Sequence, residues 1–187
     1  MSFPGIPSLD AAVMAFIQTH FHNTVTDTVF PIITSLGEAG IGWIVLSLVL
    51  LCFKKTRRTG GLVLIAMTVT LLFGELTLKN IICRLRPCNV FTNFPMLIAR
   101  PTSYSFPSGH TSSSFAAALI LTLRHKKVGW FAYIPAVLIA FSRIFLFVHY
   151  PTDVLAGILL GTIAALLTYF AAKAIQKRQA EKRTAQI

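Results

Sequence analysis

Apolar residues in this chain come in long runs, and charged residues come in short clusters between them. A helix that crosses a bilayer needs about 20 mostly apolar residues. Five runs approach that: Gly40 to Phe53, with an extension back past Gly37 left open; Gly61 to Cys83; Gly109 to Leu123; Val128 to Val148; and Val154 to Ala172. The third opens on His110-Thr111-Ser112-Ser113-Ser114, so its start faces protein or water, not lipid tails. Upstream, Leu9, Val13, Phe16 and Ile17 recur at helical spacing, with Ser8 or Asp10 as a candidate cap. That stretch is too short and interrupted to span and reads as an amphipathic helix in the membrane interface; a sixth span is the alternative. The expected fold class is all-α. It is a polytopic membrane bundle of five transmembrane helices, or six, plus the interfacial helix, in one membrane-embedded domain over 1–187.

Composition agrees. Hydrophobic residues make up 55% and charged residues 12% of the 187, against about 45–50% and about 25% in an average soluble domain. Mean hydropathy is +0.70. A disordered chain, a secreted disulfide scaffold and an ordinary cytosolic enzyme are all excluded. The net charge of +11 could suggest nucleic acid, but the basic residues flank apolar runs, as topology signals do, so no nucleic-acid partner is expected. Cys52, Cys83 and Cys88 form no zinc pattern; Cys83 and Cys88 either pair in an oxidising compartment or stay free. The N-terminus has no basic region or cleavage site, so no signal peptide is expected.

Residues 1–53 hold no Lys or Arg. Twelve of the 17 basic residues lie in three clusters: Lys54 to Arg58, Arg124 to Lys127, and the tail from Lys173 to Arg183. With five spans, all three fall on one side, which the positive-inside rule assigns to the cytoplasm. Residues 173–187 then form a basic cytoplasmic tail. The other five, Lys79, Arg84, Arg86, Arg100 and Arg143, belong to the outer side of a cell-membrane protein. Charges at membrane depth are costly and call for a function.

Those charges gather near other reactive groups. Lys79 and Arg86 are seven apart, about two helical turns. Pro107-Ser108-Gly109-His110 opens the third span, and the free N–H groups of a helix start make an anion site. Ser142-Arg143 sits in the fourth span, followed by His149 and, four residues on, Asp153. Three cations, a helix N-terminus, two histidines and one carboxylate suit a tetrahedral dianion. One histidine can attack phosphorus with its tautomer fixed by the Asp, and the other can protonate the leaving oxygen. Carboxylates are too few for a metal site, with only Asp153 and Glu75 at hand, so a metal-free phosphatase is expected.

Lys79-x6-Arg86-Pro87, Pro107-Ser108-Gly109-His110 and Ser142-Arg143-x5-His149-x3-Asp153 resemble the three-part signature of the type 2 phosphatidic acid phosphatase superfamily, with no departure at any motif position. The resemblance implies that His149 is the nucleophile that forms a phosphohistidine, Asp153 orients it, and His110 is the general acid that later activates water. It implies that Lys79, Arg86, Arg143, Ser108 and the Gly109 backbone bind the phosphoryl oxygens, with no metal and no cofactor. Small bacterial membrane members often act on undecaprenyl diphosphate. The expected function is thus hydrolysis of a lipid phosphate or diphosphate at the extracytoplasmic face, with undecaprenyl diphosphate to monophosphate favoured. Phosphatidylglycerophosphate or phosphatidic acid is the alternative, and a non-enzymatic anionic-lipid transporter is the alternative of another class.

Structural readings stand beside these. Glu75, four residues before Lys79, is expected to orient and neutralise it. Arg84 and Arg100 are expected as headgroup anchors or pocket rim, and His20 and His22 as interfacial residues. Gly157 and Gly161 form a small-xxx-small pair, expected to pack inside the monomer. The long connector Cys88 to Phe106 is either a loop resting on the membrane or a lid over the phosphate pocket.

Overall fold

The computed structural model describes residues 3–184. Residues 1–2 and 185–187, the ends of the expected domain and tail, lie outside the described residues. Among the described residues every regular element is helical.

Helix α1 (Ser8–His20) precedes α2 (Thr24–Leu36), which starts on a reciprocal cap between Asn23 and Thr26. A 3₁₀ turn (Glu38–Gly40) then leads into α3 (Ile41–Cys52). At the turn the axis bends by 46°. Ala39 and Gly40 take φ of 47° and 71° there, and a glycine accepts the second without strain. Helix α4 (Arg57–Thr70) continues through a π-helical stretch (Leu71–Leu78) into α5 (Lys79–Ile82), and α6 (Pro87–Val90) is one turn. Helix α7 (Gly109–Arg124) is followed by α8 (Lys126–Gly129), α9 (Tyr133–Phe145) and α10 (Pro151–Thr184). Pro151 opens α10, where its missing N–H costs nothing.

α7 is the central post, packed on α10, α4 and α9. Small side chains make this possible. Ala116, Ala117 and Ala118 are fully buried, and Gly157 and Gly161 bring α10 against the Ser108 and Ser112 carbonyls of the α7 start. The glycine pair therefore packs inside the monomer. The outward faces carry exposed apolar residues such as Val45, Val49, Phe73, Leu155, Leu159 and Leu167, a surface suited to lipid, not water.

Three stretches, Arg57–Val90, Lys126–Phe145 and Pro151–Thr184, are long and apolar enough to cross a membrane, and the bent pair Thr24–Leu36 with Glu38–Cys52 gives a fourth when it is counted as one span. Counted so, the extension back past Gly37 that the sequence left open reaches Thr24. Helix α7, with 16 residues, reaches only about 24 Å and is enclosed by its neighbours.

α1 exists, but the expected apolar face splits. Met14 and Ile17 turn inward, while Leu9 and Phe16 are exposed. Asp10 is no cap: Pro7 occupies that position, and the Asp10 side chain is wholly buried. All three cysteines are free, and only Cys88 is buried.

Candidate active site

The π-helical stretch ends at Leu78, immediately before Lys79, and sets its register. Lys79 Nζ donates to both Glu75 oxygens at 2.7 Å, so Glu75 holds the expected place. A Cβ on Gly109 would overlap the Glu75 carboxylate, so a larger residue there would displace Glu75 from its present place on Lys79. Four residues after Ile82 the chain presents Arg86, which is 3% exposed. Its Nε and Nη2 donate to the Ser103 carbonyl and hydroxyl (2.7 and 3.0 Å), and its Nη1 donates to the Val148 carbonyl (2.9 Å).

Arg143 ends α9. Its carbonyl accepts the N–H groups of Val148 and His149, both at 3.2 Å, and Phe147 adopts a φ of 60° in the turn between. The turn delivers His149 to the site, 1% exposed. Arg143 Nη1 donates to Thr34 Oγ1 at 2.5 Å, while its buried Nε has no partner.

The histidine tautomer follows from its partners. His149 Nε2 lies 2.9 Å from Arg86 Nη1. A guanidinium only donates, so Nε2 is the lone-pair nitrogen and Nδ1 carries the proton. Nδ1 faces Asp153 Oδ2 at 3.4 Å. That oxygen also accepts the Tyr150 N–H at 2.9 Å, which holds the carboxylate in place. Burial, and then Arg86, Arg143 and Lys79, hold the His149 imidazole well below its usual protonation range. Neutral imidazole is the nucleophilic form. Burial pushes the neighbouring Tyr150 phenol up to about 12, so it stays neutral.

His110 stands on the first turn of α7 with its buried Nε2 unpartnered. Glu38 Oε2 is 3.7 Å from that nitrogen. Gly37 sits against the ring: a Cβ there would lie 2.8 Å from His110 Cδ2. The break between α2 and α3 therefore supplies Thr34, Gly37 and Glu38 to the site.

One cavity of about 880 Å³ is lined by Lys79, Arg86, Gly109, His110, Arg143 and His149. Ile44, Leu64, Met67 and Leu71 also line it and give it an apolar side. Asp153 stands behind His149, away from the lining. Ser108 is not at the lining either. Its hydroxyl caps α7, accepting from Thr111 N–H and hydroxyl at 3.4 and 2.9 Å, so the helix start rather than the hydroxyl faces the cavity. Three cations converge here, and among the described residues no group of three His, Cys, Asp or Glu side chains gathers in a metal-binding cluster.

One sequence expectation changes: Arg84 is neither a headgroup anchor nor rim, because it donates to Asp10 and to Asp153. Arg100 does stand at the cavity lining, where it donates to the Cys88, Thr92 and Phe94 carbonyls and so ties the connector to itself. Phe94 stacks on Phe147 with ring centroids 3.9 Å apart. This anchored connector lines the cavity through residues 98–103. His22 pairs with Asp27 at 2.7 Å and stacks on Phe145.

Sequence reading missed Thr34, Glu38, Ser103 and Asp10. The only signal for the first two was the Gly37-Glu38-Ala39-Gly40 interruption inside an apolar stretch.

The family model described as the PAP2 superfamily matches residues 59–177. An undecaprenyl-diphosphatase of Sulfolobus acidocaldarius is 38% identical over 127 residues, covering 67% of this chain and 61% of its own length. Undecaprenyl-diphosphatase BcrC of Bacillus subtilis is 31% identical, covering 79% of this chain and 76% of its own length. A Bacillus subtilis PAP2-type phosphatidylglycerolphosphate phosphatase structure superposes with a TM-score of 0.73 at 28% identity, over 92% of this chain and 89% of that one.

Proposed function

The chain belongs to the PAP2 superfamily and is a lipid phosphatase of that class; on that premise we propose that it hydrolyses a polyprenyl diphosphate to the monophosphate through a phosphohistidine. The observation that carries the reading is the convergence of His149 Nε2, Lys79, Arg86, Arg143 and His110 on one cavity. The phosphoryl oxygens sit among Lys79, Arg86, Arg143 and the Gly109 N–H at the α7 start. Nε2 of His149 forms the N–P bond as the P–O bond to the leaving group breaks, and His110 gives that oxygen a proton. Asp153 holds Nδ1–H and balances the charge that develops on the ring. Water then attacks phosphorus, His110 takes its proton, the N–P bond breaks, and inorganic phosphate leaves with His149 restored. Ser108 acts as the cap that fixes the helix start. Three cations at the phosphate make a further metal ion unnecessary for charge neutralisation, so turnover is expected in excess chelator.

The substrate class rests on two supports. Both undecaprenyl-diphosphatases named above exceed 30% identity. The apolar side of the cavity, along Ile44, Leu64, Met67 and Leu71, offers a berth for an isoprenoid tail. A glycerolipid substrate is the second reading: the structural neighbour at 28% identity favours phosphatidylglycerophosphate, and phosphatidic acid is the related alternative. A head-to-head turnover assay on polyprenyl diphosphate, phosphatidylglycerophosphate and phosphatidic acid, with H149A as blank, separates them. The diphosphate should turn over fastest; preference for either glycerolipid would replace the reading.

The proposed topology has five crossings: the bent pair α2–α3, α4–α5, α7, α8–α9 and α10. The site lies at the extracytoplasmic face and residues 173–187 form a cytoplasmic tail. The exposed clusters Lys54 to Arg58, Arg124 to Lys127 and Lys173 to Arg183 support this orientation. Thiol labelling of a single cysteine placed at position 93 or 127 in a chain lacking the native cysteines reads it out. Reagent that cannot cross the membrane should reach 93 and not 127 in intact cells; the reverse would place the site in the cytosol.

A further inference from the structure

One ion pair, Asp10 with Arg84, has no part in the steps above. Asp10 of α1 is wholly buried and lies outside the 59–177 stretch that the family model matches. Arg84 Nη2 donates to Asp10 Oδ2 at 2.7 Å. Arg84 Nη1 donates to Asp153 Oδ1 at 2.6 Å and to Thr152 Oγ1 at 2.7 Å. The Tyr150 ring lies 3.7 Å from the guanidinium carbon. Thr152 closes the circle: its N–H donates to Asp10 Oδ1 at 2.9 Å and its hydroxyl to Asp10 Oδ2 at 2.8 Å. Asp10 thereby serves a free N–H in the first turn of α10, a task usually done by a local cap.

The consequence lies at Asp153. Its Oδ1 is taken by Arg84, which leaves Oδ2 for the Tyr150 N–H and for His149 Nδ1. An arginine with a single carboxylate partner tends to close on both oxygens as a fork. Here Asp10 holds one arm of the fork away. We propose that Asp10, acting through Arg84, is a positioning residue that keeps Asp153 Oδ2 directed at His149. The proposal rests on the phosphohistidine reading above. It makes α1 a working part of the enzyme: an element 74 positions upstream of Arg84 sets the geometry of the nucleophile's partner.

The test uses the full chain in detergent with a radiolabelled polyprenyl diphosphate. D10N preserves the side-chain shape and an acceptor for the Thr152 N–H, and removes the charge that restrains Arg84. The expected result is a kcat lower by about 10–100-fold with KM changed by less than about twofold, since a misplacement near 1 Å can cost that much in the chemical step. Phosphohistidine formation should slow by the same factor while the melting temperature holds. T152V, which leaves both carboxylates in place, should show a smaller loss of the same kind. If D10N does not fold, T152V carries the test by itself. Wild-type phosphohistidine formation in the folded variants would overturn this proposal alone. Absence of phosphohistidine in the unmodified protein would overturn the underlying reading and this one with it.

Discussion

The two ends of the bundle carry the same basic residue types in opposite states. At one end Lys54, Lys55, Arg57, Arg58, Arg124, Lys126 and Lys127 are all exposed. In the described part of the tail Lys177 lies 3.9 Å from Glu181, an ion pair that is also exposed. At the other end Lys79, Arg86 and Arg143 are no more than 5% exposed. Each exposed charge keeps its water and costs the fold nothing. Each buried one has lost its water, at several kcal/mol per ion, and recovers only part through its partners. The histidines divide in the same way. His125 at the first end shares a hydrogen bond with Thr59, whereas His149 at the second is enclosed by cations and by Asp153. The difference teaches where selection for chemistry outweighs selection for stability. On the proposed reading, charges that serve topology need only be present, while charges that serve phosphate must be held, even at a cost to the fold.

Substitutions can break or sharpen that contrast. The largest effect is expected from H149A, which should lower kcat by about 10⁴-fold or more and remove all phosphohistidine, as loss of a nucleophile does; steady-state turnover above a heat-killed blank reads it. D153N should follow at about 10²–10⁴-fold in kcat, because an amide can present the wrong atom to Nδ1 and disturb the tautomer. T34V removes the acceptor of Arg143 and should cost about tenfold in kcat/KM, within the range for a hydrogen bond to a charged group. At the far end, K126A with K127A should leave kcat/KM within about twofold, as exposed charges contribute little. A large loss there would erase the contrast.

The pH profile sharpens the same point. Protonation removes the nucleophilic form of His149, and its protonation is displaced downward by burial and by three cations. Loss of activity on the acid side from this group therefore sets in well below the ordinary histidine range, near 6.5. After correction for the ionisation of the substrate and for the proton that His110 must carry, kcat/KM should show no fall from pH 8 down through about 6.5. A fall centred on 6.5 would mean that the imidazole is not desolvated.

Much of this was legible in the sequence because the motif positions carry local signals. Lys79, Arg86, His110, Arg143 and His149 stand out as polar residues where apolar ones are expected, and the structure brings them to one cavity. The spans read from hydropathy match α4–α5, α8–α9 and α10 closely, since apolar length is written along the chain. The bend at Gly37 to Gly40 was visible only as an interruption, and the backbone reversal there decides that Thr34 reaches Arg143. Asp10 and Arg84 were misread for a different reason. Each looks like an ordinary cap or anchor until a contact across 74 positions makes them partners, and nothing local in either segment encodes that. Ser108 shows the converse: the motif marks it, yet its hydroxyl accepts from Thr111 at the start of α7 and lies off the cavity lining.

The most direct test is capture of the intermediate. Rapid acid-free quenching of the enzyme with radiolabelled polyprenyl diphosphate, followed by peptide mapping, should find base-stable, acid-labile phosphate on His149 and on no other residue, formed at least as fast as turnover. Label on His110 or another side chain, or full turnover with no labelled enzyme at any time, would contradict the assignment of His149 Nε2 as the attacking atom.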